Sequence, residues 1–313
     1  MKEMEHSKRN RNWDMKEGFL IGGGILLAGI LLQLLAGPVR WEVLAFPVNL
    51  ILLLVFLAAL IVMYALRRKV RLFEWMMHLQ AAVPALCYAL GLTIIMGLVA
   101  QREEGGGIPW LSQILDFWPF VLSYSWMMVI VGLATINHLL RFRLREIPFL
   151  LNHLGLFMAL VCGAIGAPDT QRLHMTTREG ETESRAEDEN GVLHDVGLSI
   201  GLHDFIMEEF PLQEGQRRAT PKRFASDVTV YTKNGESIDA VIEVNKPLKV
   251  GRWKIYQYDY DEEKGTESRI SVLELVSDPW LPFILTGIYM MLAGALCLFF
   301  FMAPRPGKKE DKP

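Results

Sequence analysis

The chain has 313 residues, 51% of them hydrophobic, with 32 Lys and Arg against 35 Asp and Glu for a net charge of −3. Its charges cluster between long apolar runs, which excludes one large soluble core and marks an integral membrane protein. Cys87, Cys162 and Cys297 form no Cys-x-x-Cys and no Cys-x-x-Cys-His, which excludes a thiol oxidoreductase and a chain that itself carries covalent haem.

A basic tail, residues 1–17, opens the chain with Lys2, Lys8, Arg9, Arg11 and Lys16. The run at 18–36 is long for a signal-peptide core, and Gln33 to Pro38 is a poor cleavage site, so it is read as a span. A second run covers 44–66 and is followed by Arg67, Arg68, Lys69 and Arg71. Within 67–167 come three more runs, 79–100, 119–140 and 149–167, with Arg141, Arg143 and Arg145 between the last two. A sixth spans 280–302 and is followed, in the tail 303–313, by Arg305, Lys308, Lys309 and Lys312. Each run is close to the ~20 residues a membrane helix needs. The alternate short loops carry only Arg40 and Arg102. By the positive-inside rule both termini are cytoplasmic, and the long segment 168–279 lies outside the cytoplasm.

That segment holds no cysteine. Its start, 168–195, is polar and acidic and reads as an extended lead-in or mobile loop. Period-two patterning follows. "DVTVYT", the Asn234-Gly235 hairpin signal and "ESIDAVIEV" predict two paired strands, with Ile238, Ala240, Ile242 and Val244 on one face. "RWKIYQYDY" and "RISVLELV" predict two more. The expected class is therefore a polytopic α-helical membrane protein of six spans with one extracytoplasmic antiparallel β domain, a sandwich or open barrel. Arg217, Arg218, Lys222 and Arg223 form a basic patch, read as a solvated loop in preference to a docking site. Trp253 and the neighbouring tyrosines are read as core in preference to a flat binding face. No internal repeat or phosphate loop is present, and nucleic acid is not an expected partner for a domain facing away from the cytoplasm.

His78, His138 and His153 lie at or inside spans, and a titratable side chain there is a functional-site hypothesis by default. His138 and His78 fall near the interface. His153 is eight residues past Arg145, roughly 12 Å along a helix axis, and Pro148 suits the first turn of that helix. Three readings of His153 stand at this point: an interhelical hydrogen bond, a proton relay, or ligation of a metal or haem iron. The relay lacks nearby carboxylates. An apolar helical pocket suits haem b, whose second axial ligand would come from His78, from His138 or from another protein.

"INHLLRFRLREIPFLLNHLGLFMALVCGAIG", followed by "LHMTTREGE", resembles the ResB (CcsB) family of System II cytochrome c biogenesis proteins, in which a basic turn, a span opening with His-[Leu/Met]-[Gly/Ser] and an Arg-Glu-Gly-Glu element follow in order. "VNKPLKVGRWKIYQYDYD" and "SVLELVSDPWLPFILTGIYMMLAGALCLFFF" are similar to that family's far end, so the resemblance covers about residues 79 to 302. It implies a subunit of the bacterial inner (cytoplasmic) membrane that works with a CcsA (ResC) partner, with apocytochrome c and with a thioredoxin-like thiol reductase. Such a complex holds or delivers reduced haem at the outer face for attachment to apocytochrome c. By position His153 matches the family's membrane histidine, an axial ligand of a haem whose other ligand sits on the partner. His174 lies next to the Arg-Glu-Gly-Glu element and inherits no role. The chain departs from the family in its two extra N-terminal spans, its compact exported domain and its lack of a tryptophan-rich Trp-Trp-Asp segment, so it would be an accessory subunit of a haem lyase rather than an enzyme alone. Two alternatives remain: a haem b electron-transfer subunit with both ligands from this chain, and a scaffold that binds no haem.

Overall fold

A computed structural model describes residues 13–101, 109–211 and 221–301. Arg102, Arg217, Arg218, the basic residues at 2–11 and those at 305–312 fall outside the described residues. Two compact units are present, Met1–Pro168 with Trp280–Pro313, and Asp169–Pro279. The first is helical and the second a single antiparallel sheet, so the expected combination of a helical unit with one antiparallel β domain is the one observed.

In the helical unit the elements are α1 (Met15–Ala36), α2 (Val48–Leu66), the short α3 (Arg71–Trp75), α4 (Leu79–Leu98), the short α5 (Pro109–Ser112), α6 (Trp118–Leu139), α7 (Ile147–Gly166) and α8 (Leu281–Phe301). Six of them are long and apolar enough to cross a bilayer, which makes this a multi-pass membrane protein. A capping box starts α1: Asp14 accepts from the backbone of the first turn, while Glu17 accepts from the Asp14 amide at 2.8 Å. The first two spans belong to the bundle. On α1, a Cβ at Gly22 would overlap the Tyr88 ring of α4, and one at Gly29 would come within 2.6 Å of the Pro119 backbone of α6. Tyr88 donates its hydroxyl hydrogen to the Phe19 carbonyl at 2.8 Å, and the Trp118 amide donates to Gln33 Oε1 at 3.1 Å. From α2, the buried Asn49 donates to the Ile165 carbonyl of α7, while Phe56 stacks on Phe157 of α7 at 6.2 Å.

Helices α7 and α8 are closely packed. A Cβ at Gly155 would stand 2.5 Å from the Gly287 carbonyl oxygen, and one at Gly287 2.5 Å from that of Gly155. Gly294 receives Asn152 in the same way, and Gly166 receives the Trp280 indole. Small residues at such a crossing let two backbones approach, which is how helices associate where no hydrophobic effect drives them together.

The β unit comprises β1 (Gln171–Arg178), β2 (Thr182–Glu187), β3 (Leu193–Glu209), β4 (Pro221–Thr232), β5 (Ser237–Glu243), β6 (Leu248–Val250), β7 (Trp253–Tyr260) and β8 (Ile270–Ser277). Their order in the sheet is β5-β4-β3-β2-β1-β8-β7-β6, every pairing antiparallel. The sheet curls until its two halves share a core of Met175, Ile200, Val228, Ile242, Ile255 and Leu273, all at 0% exposure. One polar cluster inside is satisfied within the sheet: Ser226 Oγ donates to Gln257 Oε1 at 2.5 Å and lies 2.6 Å from Ser271 Oγ.

Three expectations are corrected. Segment 168–195 is no loop: it supplies β1 and β2 at the centre of the sheet, with Leu173, Met175 and Ala186 in the core. Those three inward residues are spaced among charges, so the apolar pattern was too thin to read. Val244 lies beyond the end of β5 and is exposed, although Ile238, Ala240 and Ile242 do point inward. On β7 the core reading holds for Trp253, whose Nε1 donates to the Val196 carbonyl at 2.9 Å, but Tyr258 is exposed. A bulge between Gln257 and Asp259 breaks the alternation there. The hairpin expected at Asn234-Gly235 is present, with Gly235 at φ 83° and the Gly235 amide donating to the Thr232 carbonyl.

Candidate functional site

His153 is carried by α7, whose first turn contains Pro148. Two stripes divide the helix. Asn152, Gly155 and Gly166 meet α8 or Trp280, while Phe149, His153 and Phe157, four residues apart, form the other stripe. The half-buried His153 ring stacks on Phe149 with centroids 3.7 Å apart and 14° between planes. Its Nδ1 is 3.0 Å from the Phe149 carbonyl oxygen. A carbonyl oxygen can only accept, so Nδ1 carries a hydrogen, and in the neutral ring Nε2 then presents a lone pair. That is the protonation a ligating imidazole needs, with its second nitrogen oriented by a backbone carbonyl.

His138, in the last turn of α6, takes the other face of Phe149 at 3.8 Å and 33°. Its Nδ1 is 3.0 Å from Glu146 Oε2, and the Arg145 guanidinium lies 3.8 Å from the same carboxylate. A phenyl ring therefore stands between the two imidazoles. With Phe149 between them, the two imidazoles would not hold one metal ion together.

His78 is exposed at the N-cap of α4 and lines a cleft with Arg67, Asn137 and Arg141. Among the described residues nothing brings it together with His153. In the β unit, His194 Nε2 pairs with Asp188 Oδ2 at 2.8 Å, and that hydrogen bond first, with the Val192 amide second, holds the Asp188 carboxyl below its ordinary pKa. His174 lies tilted by 32° against the Tyr258 ring, with centroids 4.4 Å apart, and leaves its buried Nε2 without a partner among the described residues. Of the basic patch, Arg223 bonds Glu243 at 2.7 Å and Glu208 at 3.2 Å, and Lys222 bonds Glu208 at 3.2 Å. These two cations tie β3, β4 and β5 together.

Phe149 and Glu146 are the site residues that reading by type overlooked. Phe149 precedes His153 by one helical turn, so the i, i+4 spacing could have found it. Glu146 reaches His138 across an irregular turn that no periodicity reports.

Residues 141–271 match the ResB-like family model, a segment that contains His153, the "REGE" element and strands β1 to β7 with the start of β8. The resemblance read from the sequence is thus shown for the middle of the chain, over a shorter range than 79 to 302. No curated protein matches the chain. Among solved structures, cytochrome c heme lyase CcmF is similar at 14% identity with a TM-score of 0.38, over 95% of this chain and 47% of that one. The chain thus spans about half the length of that structure, and the likeness is too loose to assign a common fold.

Proposed function

We propose that this ResB-like chain is the haem-holding subunit of a bacterial cytochrome c haem-attachment complex, with His153 Nε2 as one axial ligand to the iron. The ResB-like match supports a role in cytochrome c biogenesis, and the single observation that carries the finer reading is the fixed tautomer of His153. Haem is cargo here, bound in its b-type form before attachment. Its iron supplies the redox centre that must be ferrous when the thioether bonds form.

The chain's own residues orient and shield. The Phe149 carbonyl holds the imidazole, the phenyl ring covers one face of it, and the α7–α8 crossing keeps the helix in place. The second ligand comes from a CcsA (ResC)-type partner, because Phe149 stands between His153 and His138. This arrangement also weighs against the electron-transfer alternative, in which two imidazoles of this chain share one iron. With both termini cytoplasmic, the β unit lies outside the inner membrane and scaffolds haem and apocytochrome c, with the thiol reductase acting on the latter. The test is cytochrome c maturation and haem retention in His153→Ala co-expressed with the partner. Both are lost if the reading holds; both survive if His153 serves only helix packing.

A further inference from the structure

We infer that the end of the helical unit where α2 and α6 finish and α4 begins is a binding site for a phosphate anion, seated as the headgroup of an acidic phospholipid. A cleft of about 250 Å³ opens there, lined by Arg67, Arg68, Glu74, Met77, His78, Asn137 and Arg141. It shares Asn137 and Arg141 with a neighbouring cleft of about 700 Å³ that adds His138, Arg143 and Glu146. This inference does not rest on the haem reading, nor on which side of the membrane this end faces, since both leaflets present phosphates at this depth.

Three features converge on an anion. First, the cations are uncommitted. No carboxylate lies within ion-pair distance of Arg67, Arg68, Arg141 or Arg143 among the described residues, whereas Glu146 is already engaged by His138 and Arg145. Among the described residues Glu74 is the other acid lining the two clefts, so cations outnumber acids there. Second, Arg67 is preorganised: its Nη1 donates to the Tyr64 carbonyl at 2.6 Å and its guanidinium lies 3.7 Å from the Tyr64 ring centroid. An arginine so held loses little side-chain freedom on binding, and its remaining N–H groups form the fork that suits phosphate. Third, α4 has 20 residues, and its N-cap, His78, makes no side-chain cap. The positive end of that helix thus carries no side-chain cap, and its N-cap residue, His78, lines the cleft. Asn137 adds an amide whose buried Oδ1 has no partner. A half-turn of that group would present its NH2 in the same place.

The geometry favours a lipid over a free ion. The cations stand at the ends of membrane-spanning helices, and apolar side chains exposed on α2, among them Leu54, Ile61 and Leu66, offer an adjoining surface for acyl chains. Basic pockets between spans at a membrane face are the usual seats of acidic headgroups.

Native mass spectrometry of the detergent-solubilised full chain tests this, with phosphatidylglycerol, phosphatidylcholine or inorganic phosphate added. Phosphatidylglycerol should bind in preference to phosphatidylcholine. Arg68→Gln and Arg141→Gln should each weaken it by roughly tenfold, the loss of one charge-assisted hydrogen bond. Arg145→Gln, outside both clefts, should bind as wild type does, and helical circular dichroism checks that each variant is folded. Retention in excess inorganic phosphate assigns a lipid headgroup; displacement by millimolar phosphate keeps the anion site but overturns the lipid. Equal binding of both lipids, or unchanged binding in the two cleft variants, overturns the site.

Discussion

The His153 imidazole is held at Nδ1 by the Phe149 carbonyl of its own helix, the orientation that the proposed ligation through Nε2 requires. The stack His138–Phe149–His153 sets what each substitution should do. On the proposed assignment, His153→Ala removes the ligand and haem retention with it. His138→Ala leaves the Phe149 carbonyl contact intact, so haem retention with the partner should persist; equal loss in both variants, read by reduced-minus-oxidised spectra, would contradict the assignment of the second ligand to a partner. The sequence made His153 legible because it is a polar residue deep in an apolar run. It could not show that Phe149 separates two histidines fifteen positions apart, since that depends on how α6 and α7 lie side by side.

Between elements, two contacts carry specific expectations. The glycines where α7 meets α8 leave no room for a side chain. Gly287→Val should cost about 1–3 kcal/mol through forced separation of the helices, seen as a lower thermal midpoint in detergent; an unchanged midpoint would mean that the helices are not in contact there. In the sheet, Arg223 lowers the pKa of Glu208, after Lys222, and is the first cause of the lowering at Glu243. Folded-state carboxyls below their unfolded values stabilise above the unfolded pKa, about 4.3, and that contribution is lost as pH falls through the folded values. Amide-exchange protection factors along β5, taken relative to intrinsic exchange, should therefore fall in that window below about pH 4.3, and Arg223→Gln should lower them at neutral pH as well. A flat pH profile would show that the ion pairs do not hold this edge. These strand contacts were partly hidden in the sequence. Alternation revealed β4, β5, β7 and β8, but β1 and β2 bury few residues each and hide behind their charges.

At the scale of the molecule, hydropathy and basic loops suffice to divide helical from sheet regions, because a bilayer punishes any other distribution of polar backbone. The role of the first two spans was beyond such reading. It depends on the fit of Gly22 to Tyr88, of Gly29 to Pro119 and of Phe56 to Phe157, which makes them part of the bundle that holds α7. The β unit has its own core, and β1 and β8 bring its ends together through Gln171 and Ser277. Segment 169–279 should consequently fold by itself and melt cooperatively with a β-type circular dichroism spectrum. A spectrum without ordered strands would mean that the sheet requires the helices.

The central claim is that His153 and a second protein share one haem. The most direct measurement is the reduced-minus-oxidised haem spectrum of the purified chain, alone and co-expressed with a CcsA-type partner, for wild type and His153→Ala. Haem that appears with the partner and vanishes in the variant is the predicted result. A bis-histidine spectrum from the chain alone, or haem retained in His153→Ala, would contradict it.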